Sequence, residues 1–143
     1  MSLQQINSHS AAETSAVFLL ESCIIKRVKN ERRRISLEQS SERKVYNERL
    51  AQEDDFFKQF GELDSQTYQA NVLDKQQKEM IGLTISIMSK CDECILYHLE
   101  ECQKAGITRA EVMEVVKLTV IGGGSVLYPT ARKILRLLDE LNY

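Results

Sequence analysis

The sequence predicts an all-α domain that carries a CxxC pair at a helix N-terminus. Three observations lead there. One proline and six glycines in 143 residues leave long stretches free of helix breakers. Apolar residues recur at helical spacing, and no segment alternates convincingly with a period of two. Capping residues stand ahead of the apolar runs, at Asp74 and Thr108.

Taken in order, residues 1–43 differ from the rest. They are rich in Ser, Gln and Asn and hold seven cations against five anions, whereas residues 44–143 hold twelve against sixteen. Val17 to Ile25 is long enough for a short helix but has little beside it to pack with. We read 1–43 as a flexible or atypical N-terminal extension, dispensable to the fold, and 44–143 as the domain. Lys44 to Phe60 is amphipathic, with Val45, Leu50, Phe56, Phe57 and Phe60 available for a core and Gly61 placed to end the helix. A short segment from Glu62 to Val72 follows.

Asp74, with Gln77 three residues on, forms a capping box for the next helix. That helix is apolar through Met80, Ile81, Leu83, Ile85, Ile87 and Met88, so it is expected to be central. Ser89, with Asp92, is a weaker cap for a helix from Lys90 to Lys104, ended by Gly106. Thr108 and Glu111 form a good capping box for Arg109 to Ile121. Gly122 to Gly124 then interrupt the chain. They lack the preceding strand and the lysine of a phosphate loop, so a bend or a close helix approach accounts for them better. Ser125 to Leu141 closes the chain, with Leu127, Ala131, Ile134, Leu135, Leu138 and Leu141 at helical spacing.

Composition narrows the function. A net charge of −2 argues against nucleic acid as the main partner. The basic run from Lys26 to Arg34 reads as a solvated face. No run approaches the roughly 18 apolar residues a membrane helix needs. Ala16 to Ile25 contains Glu21 and is followed by charge, the reverse of a secretory signal. The protein is expected in the cytoplasm, where cysteines serve as metal ligands, redox groups or buried filler.

Spacing decides among these. At about 100° per residue, Cys91, Cys94, His98 and Cys102 share one helical face. In the first turn, unpaired N–H groups and the positive end of the helix dipole favour a thiolate, the nucleophilic form of cysteine. His98, one turn beyond, can relay a proton. The competing readings are core filling by four soft side chains and a zinc site. Structural zinc motifs place ligand pairs on separate elements, whereas one straight helix presents its ligands from one side only. A redox pair is therefore preferred, with no metal and no cofactor. Cys102 is read as a buried small hydrophobe, Cys23 as without a role, and His9 as part of a polar tail.

Glu79, Cys91, Cys94 and His98 match the E-x11-C-x2-C-x3-H pattern, and Ala105-Gly106-Ile107-Thr108 and Gly122-Gly123-Gly124-Ser125 follow. In these residues the sequence resembles the AhpD-like alkylhydroperoxidases of the carboxymuconolactone decarboxylase superfamily, over about residues 54–141. The resemblance implies an AhpD-like all-α fold in homo-oligomers, commonly trimers or hexamers. It also implies a thiol peroxidase or disulfide reductase acting on hydroperoxides. By carry-over, Cys94 attacks the peroxide, Cys91, closer to solvent, resolves the sulfenic acid, and Glu79 and His98 relay the proton. A dithiol protein of lipoyl or thioredoxin type re-reduces the pair. One position departs from the best-studied members: Glu93 stands where they carry a histidine, and a nearby carboxylate opposes thiolate formation. The rival functions are a decarboxylase acting on a lactone, which has no need of a CxxC, and an oligomer that senses oxidants without turnover.

Overall fold

A computed structural model describes the backbone of residues 3–143 and the side chains from Glu21 onward. His9 and the first part of the Val17–Ile25 stretch lie outside the described side chains. The elements are α1 (Leu3–Glu53), α2 (Asp55–Thr67), α3 (Lys75–Met88), α4 (Asp92–Lys104), α5 (Arg109–Gly123) and α6 (Tyr128–Glu140), with a 3-10 turn at Ser125–Leu127. No strand occurs among the described residues, so the all-α class holds.

The expected boundary between residues 43 and 44 falls inside α1. No glycine or proline occurs before Gly61, so nothing local stops the helix there. Ser36 and Ser40 of α1 are buried against the domain. The Ser36 hydroxyl donates to Glu140 at 3.0 Å, Ser40 donates to Glu100, and Arg43 Nη2 donates to Glu100 Oε2 at 2.9 Å.

The expected Lys44–Phe60 helix is split. Asp54 adopts an extended backbone (φ −151°, ψ 133°) and its carboxylate accepts from the Phe56 N–H, starting α2. Gly61 does not end a helix; it lies within α2, which continues to Thr67 and takes up half of the segment read as a connection. Val45, Leu50, Phe56, Phe57 and Phe60 do not enter the core. All five are exposed, and α2 buries no residue. The end of α1 and α2 instead face each other across an open cleft lined by Leu50, Phe57 and Phe60.

The core is made by α3 to α6. Leu83 and Ile87 of α3 meet Ile95, Leu96 and Leu99 of α4, Val112 and Val116 of α5, and Ile134 and Leu138 of α6. α3 is central as expected, packing on α4 and α5, but Ile81, Ile85 and Met88 point outward. In α6, Ile134, Leu138 and the following Leu141 are buried as the spacing implied, and Leu135 is exposed. Both capping boxes form: Asp74 with Gln77, and Thr108 with Glu111, whose carboxyl is held below its usual range by bonds from Thr108. The glycine run serves as a bend, since Gly124 sits at φ +82°, where side-chain-bearing residues are strained. No helix among the described residues is long and apolar enough to cross a membrane.

Candidate functional site

The site is built at the junction of α3 and α4. Ser89, expected to cap the start of α4, is instead the C-cap of α3. Lys90 follows in the left-handed region (φ 54°). Its N–H bonds to Ile87 O at 3.1 Å and the Cys91 N–H to Ser86 O at 3.1 Å, the Schellman closure of a helix end. The residue that completes this closure, Cys91, is also the N-cap of α4. One residue thus ends one helix and begins the next, which fixes its sulfur at the positive end of α4.

Cys91 and Cys94 are joined as a disulfide with their Cα atoms 5.3 Å apart. Cys91 Sγ accepts a hydrogen bond from the Cys94 N–H at 3.3 Å. A sulfur in this position takes the place of the usual Ser or Asp cap, where an N–H stabilises negative charge. Cys91 therefore lies just outside the helix, whereas the sequence placed it in the first turn. Cys94 and His98 follow on α4, and Cys102, a turn beyond His98, is fully buried in the core. Burial pushes the Cys102 thiol up to about 12, which keeps it neutral and unreactive. Cys23 is exposed on α1. The expected order of exposure is also reversed: Cys94 is exposed and Cys91 half-buried, because Cys91 is tucked against the end of α3.

Beneath the pair, the antiparallel packing of α3 on α4 brings Glu79 to His98. Glu79 Oε2 lies 2.8 Å from His98 Nδ1, with Glu79 wholly withdrawn from solvent and His98 8% exposed. An Nδ1–H donated to the carboxylate leaves Nε2 as the free acceptor of the ring. Lys75, one turn before Glu79, brings Nζ to 2.5 Å from Oε1 as an ion pair, though not in hydrogen-bond alignment. Among the described residues neither sulfur bonds to His98, which sits one turn below Cys94.

Several contributors were missed at the level of sequence. The His98 ring is flanked by Tyr68 and Tyr97, with ring centroids 5.2 and 5.1 Å away. Burial raises both phenols, Tyr97 to about 12, so each stays protonated near neutrality. Tyr68 comes from the stretch read as a connection. Gly82 makes the close approach possible: a Cβ there would collide with the imidazole and stand 2.6 Å from the Tyr68 hydroxyl. Arg43 Cζ lies 5.2 Å from the Tyr97 centroid. Of these, Lys75 had a legible signal, its i, i+4 spacing to Glu79. The two acids between the cysteines also have partners: Lys133 Nζ is 2.8 Å from Asp92, and Arg43 Nη1 is 3.8 Å from Glu93. No group of three or more His, Cys, Asp or Glu is placed to hold a metal ion among the described residues.

Comparison with known proteins places the chain in a family. The model of the carboxymuconolactone decarboxylase family matches residues 54–140. An uncharacterised protein of the cox locus of Paracoccus denitrificans is 29% identical over 70 residues, 49% of this chain and 63% of the relative. An uncharacterised protein of Cupriavidus necator is 31% identical over 65 residues, 46% of this chain and 58% of the relative. The chain thus spans less than two thirds of either relative.

Among solved structures, one of a Thermotoga maritima protein superposes with a TM-score of 0.70 at 33% identity, covering 73% of this chain and 93% of that one. A second structure of that protein gives 0.57 at 38% identity, covering 59% and 88%; its description names the same family and suggests involvement in an antioxidative response. A Legionella pneumophila protein of the family shares the fold, with a TM-score of 0.65 at 22% identity over 76% of this chain and 95% of that one.

Proposed function

Because the chain belongs to the carboxymuconolactone decarboxylase family, we propose that it is a thiol-dependent peroxidase or disulfide reductase working through Cys91 and Cys94. The observation that carries this reading is the disulfide-bonded pair at the start of α4 with the Glu79–His98 pair buried one turn below it. A lactone decarboxylase would have no use for either cysteine.

In this reading the cycle starts from the reduced pair. The Cys94 thiolate attacks the outer oxygen of a hydroperoxide, the O–O bond breaks, and Cys94 becomes a sulfenic acid. The alcohol leaves with a proton that His98 delivers, and Glu79 holds the ring oriented for the transfer. The Cys91 thiolate then attacks the Cys94 sulfur, expelling hydroxide that leaves as water after protonation. The exposure of Cys94 supports its role as the attacking sulfur, and the N-cap position of Cys91 supports its ionisation. A dithiol protein of lipoyl or thioredoxin type returns the pair to the thiol form in the cytoplasm.

The working unit is a homo-oligomer. Its support is the apolar surface the single chain leaves uncovered: Phe56, Phe60 and Leu63 on α2, Leu118 and Ile121 on α5, and Tyr128 at the start of α6.

The test is peroxide consumption by wild type and Cys94→Ser with lipoyl and thioredoxin reductants. Turnover in wild type and none in the variant is expected. Equal rates, or a wild type that never forms the Cys91–Cys94 disulfide with peroxide, would refute the reading.

A further inference from the structure

The sequence Cys91-Asp92-Glu93-Cys94 sets two acids between two sulfurs, and a carboxylate near a thiol makes the thiolate less favourable. At the same place the chain supplies two cations from two other helices. Lys133 of α6 holds Asp92, with Nζ at 2.8 and 3.1 Å from the carboxylate oxygens. Arg43 of α1 faces Glu93. Its guanidinium is fixed from below by Glu100 Oε2 at 2.9 Å and stacks on Tyr97, and its side chain is only 17% exposed. Nη1 is buried without a hydrogen bond and lies 3.8 Å from Glu93 Oε2. A buried N–H left without a partner is costly, and Glu93 is the anion it faces. Arg43 also precedes the segment matched by the family model, so α1 adds it to the site from outside.

We propose that Arg43 is a positioning residue for the cysteine pair, one that neutralises Glu93 and holds Tyr97 against His98. The proposal rests on the redox reading of Cys91 and Cys94. The charged and titratable groups facing the pair are Asp92, Glu93 and His98 on α4, Lys90 at the junction, and Arg43 and Lys133 from α1 and α6. Glu79 and Lys75 of α3 stand behind His98. Asp92 has Lys133, so removal of Arg43 leaves Glu93 as the uncompensated charge beside the sulfurs.

The experiment is alkylation of the reduced full-length protein by iodoacetamide across pH, following the peptide that carries Cys91 and Cys94 by mass spectrometry. Arg43→Met should move the midpoint of the rate profile upward by roughly half a pH unit or more, the effect of one uncompensated surface charge a few ångströms away. Arg43→Lys should restore most of the shift. Glu93→Gln alone should lower the midpoint, and the double variant with Arg43→Met should return it close to wild type, because the two charges oppose one another at the sulfurs.

No shift in Arg43→Met, or a double variant whose midpoint stays as high as that of Arg43→Met alone, would overturn the proposal. If Arg43→Met does not fold, Glu93→Gln alone decides. Removing the acid leaves the Arg43 cation unopposed and should lower the midpoint by about half a unit, whereas an unchanged midpoint would show that this charge pair does not act on the sulfurs and would overturn the proposal. A wild type that cannot cycle with peroxide defeats the redox reading itself. Intact cycling with a midpoint indifferent to Arg43 defeats only this one.

Discussion

Glu79 Oε2 and His98 Nδ1 stand 2.8 Å apart across the α3–α4 interface, nineteen residues apart in sequence. Each side chain is costly to bury alone, and together they form a charge-assisted pair beneath the cysteines. Lys75 pairs with the other carboxylate oxygen, so the imidazole is oriented from one side by a carboxylate that is itself held.

The first prediction concerns that pair. Glu79→Gln keeps a group able to accept from Nδ1–H but loses the carboxylate charge that holds the ring by a charge-assisted bond. It should slow peroxide-driven disulfide formation by about 10²-fold while the protein still folds, the usual size of an acid–base contribution. His98→Ala should slow it as much or more. Stopped-flow oxidation with circular dichroism on both variants measures this. Wild-type rates in both would remove the relay from the mechanism.

The second prediction is steric. A methyl group at Gly82 would collide with the His98 ring and crowd the Tyr68 hydroxyl. Overpacking of this kind costs about 1–3 kcal/mol. Gly82→Ala should therefore lower the denaturation midpoint and slow oxidation together. A variant that is destabilised but oxidises at the wild-type rate would show that the exact placement of His98 is unimportant.

The reading from sequence succeeded where local rules govern. The capping boxes at Asp74 and Thr108 need only three residues of context, and both form. The family resemblance paired Glu79 with His98, and the antiparallel return of α4 on α3 brings the two within 2.8 Å. Local rules failed where a residue serves two elements. Ser89 looked like a cap, yet the α3 closure at Lys90 shifted that task to Cys91. Phe56, Phe57 and Phe60 looked like core, yet α2 packs against no buried partner in the single chain. Periodicity shows that a face is apolar and cannot show what covers it. Arg43 was invisible as a site residue because its partners, Glu93, Tyr97 and Glu100, are fifty or more residues away, and only the path of α1 brings them together.

A third prediction follows from the buried thiol. Cys102 is raised from its ordinary 9.0 to about 12 in the fold. Between those values the unfolded chain has released the proton and the native state has kept it, so stability falls as pH rises through this window. Tyr97, raised from 10.0 to about 12, acts in the same direction. Urea denaturation of the native protein should show stability level up to about pH 9 and declining above it. Cys102→Val, which removes one of these protons, should decline less steeply. An unchanged slope in that variant would show that the Cys102 thiol is not shielded as described.

The last prediction concerns α1. Ser36 and Ser40 are 3% and 7% exposed, and their hydroxyls satisfy Glu140 and Glu100, carboxylates on α6 and α4. A chain beginning at Glu42 loses both serines and leaves Arg43 at a fraying helix start, where its hold on Glu100 weakens. Hydrogen bonds to charged groups contribute about 1.5–3 kcal/mol each, so the shortened chain should lose about 2 kcal/mol or more. Its thermal midpoint should fall by several degrees, and its cysteine pair should alkylate with a higher pH midpoint, as in Arg43→Met. A chain beginning at Lys29 keeps Ser36, Ser40 and Arg43 several turns inside the helix and should match full length on both measurements. Equal stability of the Glu42 chain would mean that the serine contacts add nothing in solution, and residues 1–41 would then be dispensable to the domain.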